Sequence, residues 1–303
     1  MDGPAVSVVV ATYNRSNVLA LTIASALAQT FEDWEMLVVG DGCTDDSGRV
    51  VASFGDERLQ WFNLATNHGD QSIPNNVGVE RARGRYISYL NHDDLWFPDH
   101  LERCVAQLTA SEAAGVFSPV ASVLPDGEVR IAPSWTGDYR PNRVLAGASG
   151  WVLRREVLDR VGPWRSRNEI RDIPSRDWLT RALRAGETIE QMPYLTVIHP
   201  PSGLRPGSYA NRDDADQRML WKRMTSHPRF REELLTRIAL HESAERRRPR
   251  PLGHVAQAAK DALVVSFGDR WMPAKNAVRY GRKGGLMEDI RRTRGLTTHE
   301  HRS

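Results

Sequence analysis

Cysteine is almost absent from this chain: Cys43 and Cys104 are the only two in 303 residues. They lie far apart and lack metal-ligand spacing, so neither a disulfide framework nor a cysteine-held metal is expected. A reducing, cytoplasmic setting is the expectation that follows. No apolar run approaches the roughly 20 residues a membrane-spanning helix needs. The first residues lack a basic stretch followed by a long apolar one, which argues against a secretory signal. No internal repeat is found. With 40% hydrophobic and 26% charged residues, the composition is that of a soluble globular protein. The length fits one large domain with an appendage rather than two equal domains.

Strong net charge is missing too, but the value of +3 conceals an asymmetry. Residues 241–303 carry 14 Lys/Arg against 7 Asp/Glu, leaving the remainder at −4. A basic tail on a mildly acidic body favours contact with anionic surfaces, and no nucleic-acid partner is expected.

What the chain does contain is a pattern used three times: a short apolar run followed at once by a polar or acidic cluster. Residues 6–11 lead into Thr12-Tyr13-Asn14-Arg15, residues 36–39 into Gly40-Asp41-Gly42, and residues 86–90 into Asn91-His92-Asp93-Asp94. As neighbouring parallel strands, these runs would deliver all three clusters to one edge of one sheet, where open α/β sheets bind ligands. Carboxylates facing one another there need a cation or ligand donors to offset their repulsion. The intervening segments support this arrangement. Val18, Leu19, Leu21, Ile23, Ala26 and Leu27 recur at helical spacing behind Ser16, read as an N-cap. Further helices are predicted over 47–54, 73–82 and 98–108, and further strands over 35–39, 59–64 and 85–90. This βαβα rhythm predicts a mainly parallel sheet with helices on both faces.

The middle is less regular. Residues 116–123 and 129–132 read as a hairpin, 134–142 as a loop, and 151–153 as a strand running into a helix over 155–161. A helix over 177–185 and a strand over 196–199 follow, then helices over 213–225 and 230–244. Residues 246–251 read as a linker, 255–267 as an amphipathic segment, and 275–294 as a basic segment punctuated by glycine.

Each candidate residue has a structural reading beside its functional one. Asp41 can accept hydrogen bonds from a base or ribose, or can be a turn aspartate. Asn91-His92-Asp93-Asp94 offers oxygen ligands suited to Mg²⁺ or Mn²⁺ bridging a diphosphate. Its alternative is a helix cap, which accounts for one aspartate but not two. Asp177, at a helix start, is stabilised by the helix dipole and needs no further reason to be there. His199 ends a strand, where a histidine is more often structural than a ligand.

Taken together, the ordered stretches VSVVVATYNR, VVGDGCTDDS, Asn75-Asn76 with Gly78 and Ala82-Arg83-Gly84, YLNHDDLWFPDHLE, Gly162-Pro163-Trp164 and RDWLTRALRAG resemble the family 2 glycosyltransferases of the GT-A fold, over roughly residues 5–205. The resemblance implies a GT-A catalytic domain over 1–210, of α/β class with a Rossmann-like, mainly parallel mixed sheet. A helical extension over 211–245 and a partly helical basic tail over 246–303 would follow. It implies that Thr12, Tyr13, Asn14 and Asp41 hold the nucleotide, with Arg15, Asn75, Asn76, Asn91, His92 and Asp93 completing the nucleotide-sugar set. Asp93 and Asp94, with His199 as a further ligand, would hold a divalent Mn²⁺ or Mg²⁺ ion. Asp177 would be the general base.

Four positions depart from the family pattern. Gly40-Asp41-Gly42 replaces Asp-Asp-Gly, Asn91 replaces the first aspartate of the metal motif, and Asn75 replaces a frequent arginine. Arg176 replaces the glutamate before the base, where it would lower that carboxylate's pKa.

The expected activity is inverting, metal-dependent transfer of a sugar from a nucleotide-diphosphate sugar to a carbohydrate, lipid-linked or small-molecule acceptor. A retaining enzyme and a non-catalytic nucleotide-sugar-binding protein are the alternatives. Trp135 and Tyr139 could stack an acceptor sugar or anchor their own loop. The tail, through Leu263, Val264, Phe267, Trp271, Met272, Arg270, Lys275, Arg279, Arg282 and Lys283, has two readings. It either rests peripherally on the inner face of a membrane or packs on the catalytic domain.

Overall fold

The computed structural model describes residues 3–132, 147–201, 207–247 and 278–296. Trp135 and Tyr139 lie outside these residues, as do the amphipathic segment over 255–267 and Arg270, Trp271, Met272 and Lys275 of the tail.

A seven-stranded sheet forms the centre. In chain order its strands are β1 (Val6–Thr12), β2 (Trp34–Gly40), β3 (Leu59–Asn63), β4 (Tyr86–Tyr89), β6 (Gly115–Phe117), β9 (Trp151–Arg154) and β10 (Ile189–Gln191). In space the order is β10-β6-β9-β4-β1-β2-β3. Every pairing is parallel except those of β9 with β4 and with β6. The β-branched residues of β1 suit a strand buried on both faces. Alternation then sorts them: Val8 and Val10 enter one core with Leu19 and Ile23, and Val9 enters the other with Tyr89, Trp151 and Trp178.

Helices α1 (Ser16–Leu27), α2 (Ser47–Ser53) and α3 (Ser72–Arg81) connect the first four strands, and α4 (His100–Ala110) follows. Helix α3 runs so close to β1 that a Cβ on Gly78 would come within 2.4 Å of Val9 Cγ1. Only glycine fits there. Ser16 is not the N-cap of α1 but its first residue. Its N–H donates to Asp45 Oδ2 at 3.1 Å and its hydroxyl bonds Asp46, so the turn after β2 satisfies this helix end in place of its own side chain.

A smaller sheet has the order β5-β11-β7-β8, from β5 (Leu95–Trp96), β7 (Val120–Val123), β8 (Val129–Ala132) and β11 (Val197–His199). The hairpin expected over 116–123 and 129–132 is therefore divided. β7 and β8 pair antiparallel, while β6, ahead of Ser118-Pro119, belongs to the large sheet. Helices α5 (Arg155–Val161) and α6 (Pro174–Arg184) cover the large sheet, α6 starting on Pro174 and burying Trp178, Leu179 and Ala182. After the short α7 (Ser208–Asn211), α8 (Ala215–Ser226) and α9 (Phe230–Arg247) place Leu220, Phe230, Leu234 and Ile238 against Leu95, Ala121, Val129 and Ile198 of the small sheet. Helix α10 (Gly285–Thr293) lies in the basic tail. No helix among the described residues is long and apolar enough to cross a membrane.

Candidate active site

Three parallel strands stop level with one another. Thr12 lies opposite Gly40, and Gly40 opposite Asn63, so the polar clusters that follow share the carboxyl edge of the sheet. Gly42 turns the chain with φ of +70°, and a Cβ there would sit 2.7 Å from Asn67 N. Asn14, also left-handed at φ 48°, accepts from Thr44 N at 2.8 Å and Asp45 N at 3.2 Å, pinning the first cluster to the second. Asp41 is buried, and its carboxylate accepts from His68 N at 2.9 Å, Gly69 N at 3.0 Å and His68 Nδ1 at 2.9 Å. It thereby folds the loop after β3 back onto the strand ends.

The third cluster is held from below. Thr22 Oγ1 donates to the carbonyls of His92 and Asp94, and Ser149 Oγ accepts from Asn91 N at 3.0 Å. His92 Nδ1 faces the Ala11 carbonyl at 3.2 Å, so that nitrogen carries the proton, and Nε2 accepts from Tyr209 Oη at 3.2 Å. Burial pushes the His92 pKa down, against a weaker upward pull from Asp93. Asp94 is buried and tied to Asn91 Nδ2 at 2.9 Å, to Ser149 Oγ, and to His199 Nδ1 at 2.5 Å. Burial lowers the His199 pKa, but the Asp94 and Asp93 carboxylates outweigh it and raise it to about 9. Asp93 shows the converse: burial raises its pKa, yet His92, His199, Arg294 and Arg15 bring it down to about 2. Ligand atoms of Asp93, Asp94 and His199 lie within 4.8 Å of one another. Two carboxylates and an imidazole within that span fit a Mn²⁺-like cation, provided His199 gives up its proton.

These elements surround a cavity of about 300 Å³, the lower end of the range that takes small ligands. Among the residues expected at the site, Thr12, Tyr13, Asp41, Asn91, His92, Asp93 and His199 line it. Thr12 Oγ1 is buried there without a hydrogen-bond partner among the described residues. The others stand behind the wall. Asn14 and Asp94 hold the turns just described. Arg15 is buried, donating to the Ser208 carbonyl at 2.9 Å beneath the Tyr209 ring. Asn75 is buried on α3, and Asn76 bonds the Trp164 backbone through both its amide atoms, each at 2.9 Å.

Asp177 does not join Asp41 and Asp93 at the cavity wall. Residues 173–175 at the start of α6 line the cavity, whereas the Asp177 carboxylate pairs with Arg181 at 3.0 Å and Arg165 at 3.8 Å. Arg176 turns away from it to Asp172, at 2.7 Å. Burial raises the Asp172 pKa, and Arg176 only partly offsets this.

Several lining residues were not singled out in the sequence. Asn67, Gly69, Asp70 and Gln71 follow β3, and the strand-then-polar-cluster rule that found the other three edges would have found them. Tyr209 and, from the tail, Met287, Ile290, Arg291, Arg294 and Leu296 complete the wall; no local pattern marks them.

The family described as Glycosyl transferase family 2 matches residues 7–161, which contain all three strand-end clusters. The chain belongs to that family. Its relatives include a putative teichuronic acid biosynthesis glycosyltransferase of Bacillus subtilis, 32% identical over 52% of this chain and 65% of the relative. A second, a UDP-Glc:α-D-GlcNAc-diphosphoundecaprenol β-1,3-glucosyltransferase of Escherichia coli, is 32% identical over 36% of this chain and 42% of its own length. An uncharacterized glycosyltransferase of Rickettsia typhi is 35% identical over 33% and 30%. The matches thus span less than two thirds of these relatives' lengths. Among solved structures, the fold is similar to S. aureus TarS 1-349 in complex with UDP-GlcNAc (TM-score 0.56, 19% identity, 65% of this chain and 58% of that one). It is also similar to the mannosyltransferase PcManGT of Pyrobaculum calidifontis in complex with GDP-Man and Mn²⁺ (TM-score 0.53, 16% identity, 96% and 87%). At these identities the likeness shows the fold, a GT-A glycosyltransferase architecture.

Proposed function

We propose that this family 2 member moves a sugar, with inversion, from a nucleoside-diphosphate sugar to an acceptor hydroxyl. The observation that carries the reading is the cavity at the level ends of β1, β2 and β3, where Asp93 and His199 stand beside Thr12, Tyr13 and Asp41. Thr12 and Tyr13 bind the nucleotide, with Asp41 shaping the loop that encloses it. A divalent cation on Asp93, Asp94 and His199 would neutralise charge developing on the departing diphosphate. Asp177, in the first turn of α6 behind the lining residue Ser175, is the proposed base: it would exchange its pairing with Arg181 and Arg165 for the attacking hydroxyl and take that proton as the oxygen bonds to the anomeric carbon. The bond from that carbon to the diphosphate breaks on the opposite face. The fixed strand ends supply positioning, holding donor and acceptor within attacking distance.

The names of the two bacterial relatives, one in teichuronic acid biosynthesis and one acting on a diphosphoundecaprenol-linked sugar, favour polysaccharide assembly on a lipid-linked acceptor. The test is release of nucleoside diphosphate from UDP- and GDP-sugars, with and without such acceptors, in Mn²⁺ or Mg²⁺. Release that requires acceptor supports transfer, and donor binding without release under any pairing points to a binding protein. In the active pair, Asp177→Asn should lose about 10²- to 10⁴-fold in turnover with donor affinity retained. Turnover close to wild type removes Asp177 as the base. An unchanged anomeric configuration in the product would refute inversion.

A further inference from the structure

Most acidic groups around the cavity have partners among the described residues. Asp94 is matched by His199. Asp41 is satisfied by His68 and the loop amides. Asp70 caps Ser72 N at 2.7 Å and accepts from Arg167 N at 2.8 Å. Asp93 is left, and no hydrogen bond to its carboxylate is found among the described residues.

Against it stand several guanidinium groups. Arg294 lines the cavity with its Nε buried and without a partner, and no ion pair to its side chain is found among the described residues. Its positive charge reaches Asp93, His92 and His199. Arg291 also lines the cavity, is 7% exposed, and donates to the Gly69 carbonyl at 2.8 Å. Burial, and then the like charge of Arg167, lower its pKa. Arg167 itself lies over Gly69, 3.0 Å from where a Cβ would be. The Arg294 guanidinium, facing a partly buried space with no ion pair among the described residues, calls for an anion.

The segment bearing Arg291 and Arg294 is docked rather than trailing. Gly284 N donates to the Ile170 carbonyl at 3.0 Å, Gly207 N to that of Thr293 at 3.2 Å, and Tyr209 N to that of Arg294 at 3.2 Å. Tail, residue 170 segment, α7 and the loop after β3 therefore close on one another around the cavity.

We propose that α10 and the turn after it form a diphosphate-binding element, in which Arg294 and Arg291 clamp the pyrophosphate of the donor from the C-terminal wall of the cavity. The inference rests on the donor reading above and adds to it: the donor site is built from both ends of the chain, and the tail's arginines are substrate contacts. With asparagine at position 91, the metal motif carries one negative charge fewer, and the arginines take a larger share in neutralising the phosphates.

Titration calorimetry of the full-length protein tests this with UDP, GDP, ADP, CDP and dTDP and their parent nucleosides, in EDTA and in Mn²⁺. Arg294→Ala should weaken the preferred nucleoside diphosphate about tenfold or more, as expected for loss of charge-assisted bonds. Nucleoside affinity should stay the same, and Arg294→Lys should fall between. Arg294→Gln, which keeps length and polarity, replaces the alanine variant if that does not fold. Equal weakening of nucleoside and diphosphate, or no weakening, overturns the clamp while leaving the donor reading intact. A wild-type protein that binds none of the diphosphates overturns both.

Discussion

Replacing Asp41 with asparagine tests how the site is assembled. The buried carboxylate serves two backbone amides and the His68 ring at 2.9–3.0 Å. Asparagine keeps one acceptor oxygen and turns an NH₂ toward donors already in place. At least one amide then loses its acceptor and faces another donor. Hydrogen bonds to charged groups contribute about 1.5–3 kcal/mol each, so the change should cost about 2–3 kcal/mol. For a folded unit of this size that is roughly 3–6 °C in Tm. The damage should also be local. The loop supplies Asn67, Gly69, Asp70 and Gln71 to the cavity wall, and the Gly69 carbonyl receives Arg291. Asp41→Asn should therefore accelerate amide exchange across residues 67–72 and weaken nucleoside-diphosphate binding, with exchange in β1 and β2 little changed. Differential scanning fluorimetry, hydrogen exchange and calorimetry measure the three effects. A Tm within about 1 °C of wild type, with exchange over 67–72 unaltered, would refute the claim that Asp41 organises this loop.

Two further outcomes follow from buried groups. Asp93→Ala should abolish any gain in nucleoside-diphosphate affinity on adding Mn²⁺; a gain equal to that of wild type in calorimetry rejects Asp93 as a ligand. His100 is fully buried against Thr196 Oγ1 at 2.7 Å, and burial lowers its pKa to about 3 against a weaker opposite pull from Asp99. Its folded-state value lies below the unfolded value of about 6.5, so its contribution is complete above pH 6.5 and declines as pH falls toward 3. Between pH 7.5 and 5.5 the loss should be about 1.4 kcal/mol. The raised pKa of His199 drives stability the other way, so the effect is read as the difference between wild type and His100→Gln in urea unfolding. Identical pH dependence in the two proteins would show that His100 does not titrate on unfolding.

The strands and helices of the first 110 residues, the two-residue β5 apart, were legible because each repeats a short-range pattern. Short apolar runs placed β1 to β4 to within a residue or so, and the polar clusters at their ends marked three edges of the cavity. What failed was partnership. Ser16 reads as a cap because serine usually bonds its own helix, but a turn from elsewhere supplies Asp45 and Asp46. Arg176 reads as a neighbour of Asp177, yet the helix turns its side chain back to Asp172. The 116–123 segment reads as one strand until Ser118-Pro119 divides it between two sheets.

The chain's own pattern determined that a parallel sheet forms and that Thr12, Asp41 and Asp93 sit at one edge of it. Local periodicity and strand direction suffice for that. Only the tertiary structure decided that Asp177, already the i,i+4 partner of Arg181 in its own helix, also meets Arg165 and stands behind the wall, and that Arg291 and Arg294 reach the cavity from the far end of the chain. In sequence those two arginines look like any other charges of a solvated basic tail. Which guanidinium is buried beside a carboxylate is settled by contacts between segments some two hundred residues apart, such as Arg291 on Gly69, and no local spacing encodes them.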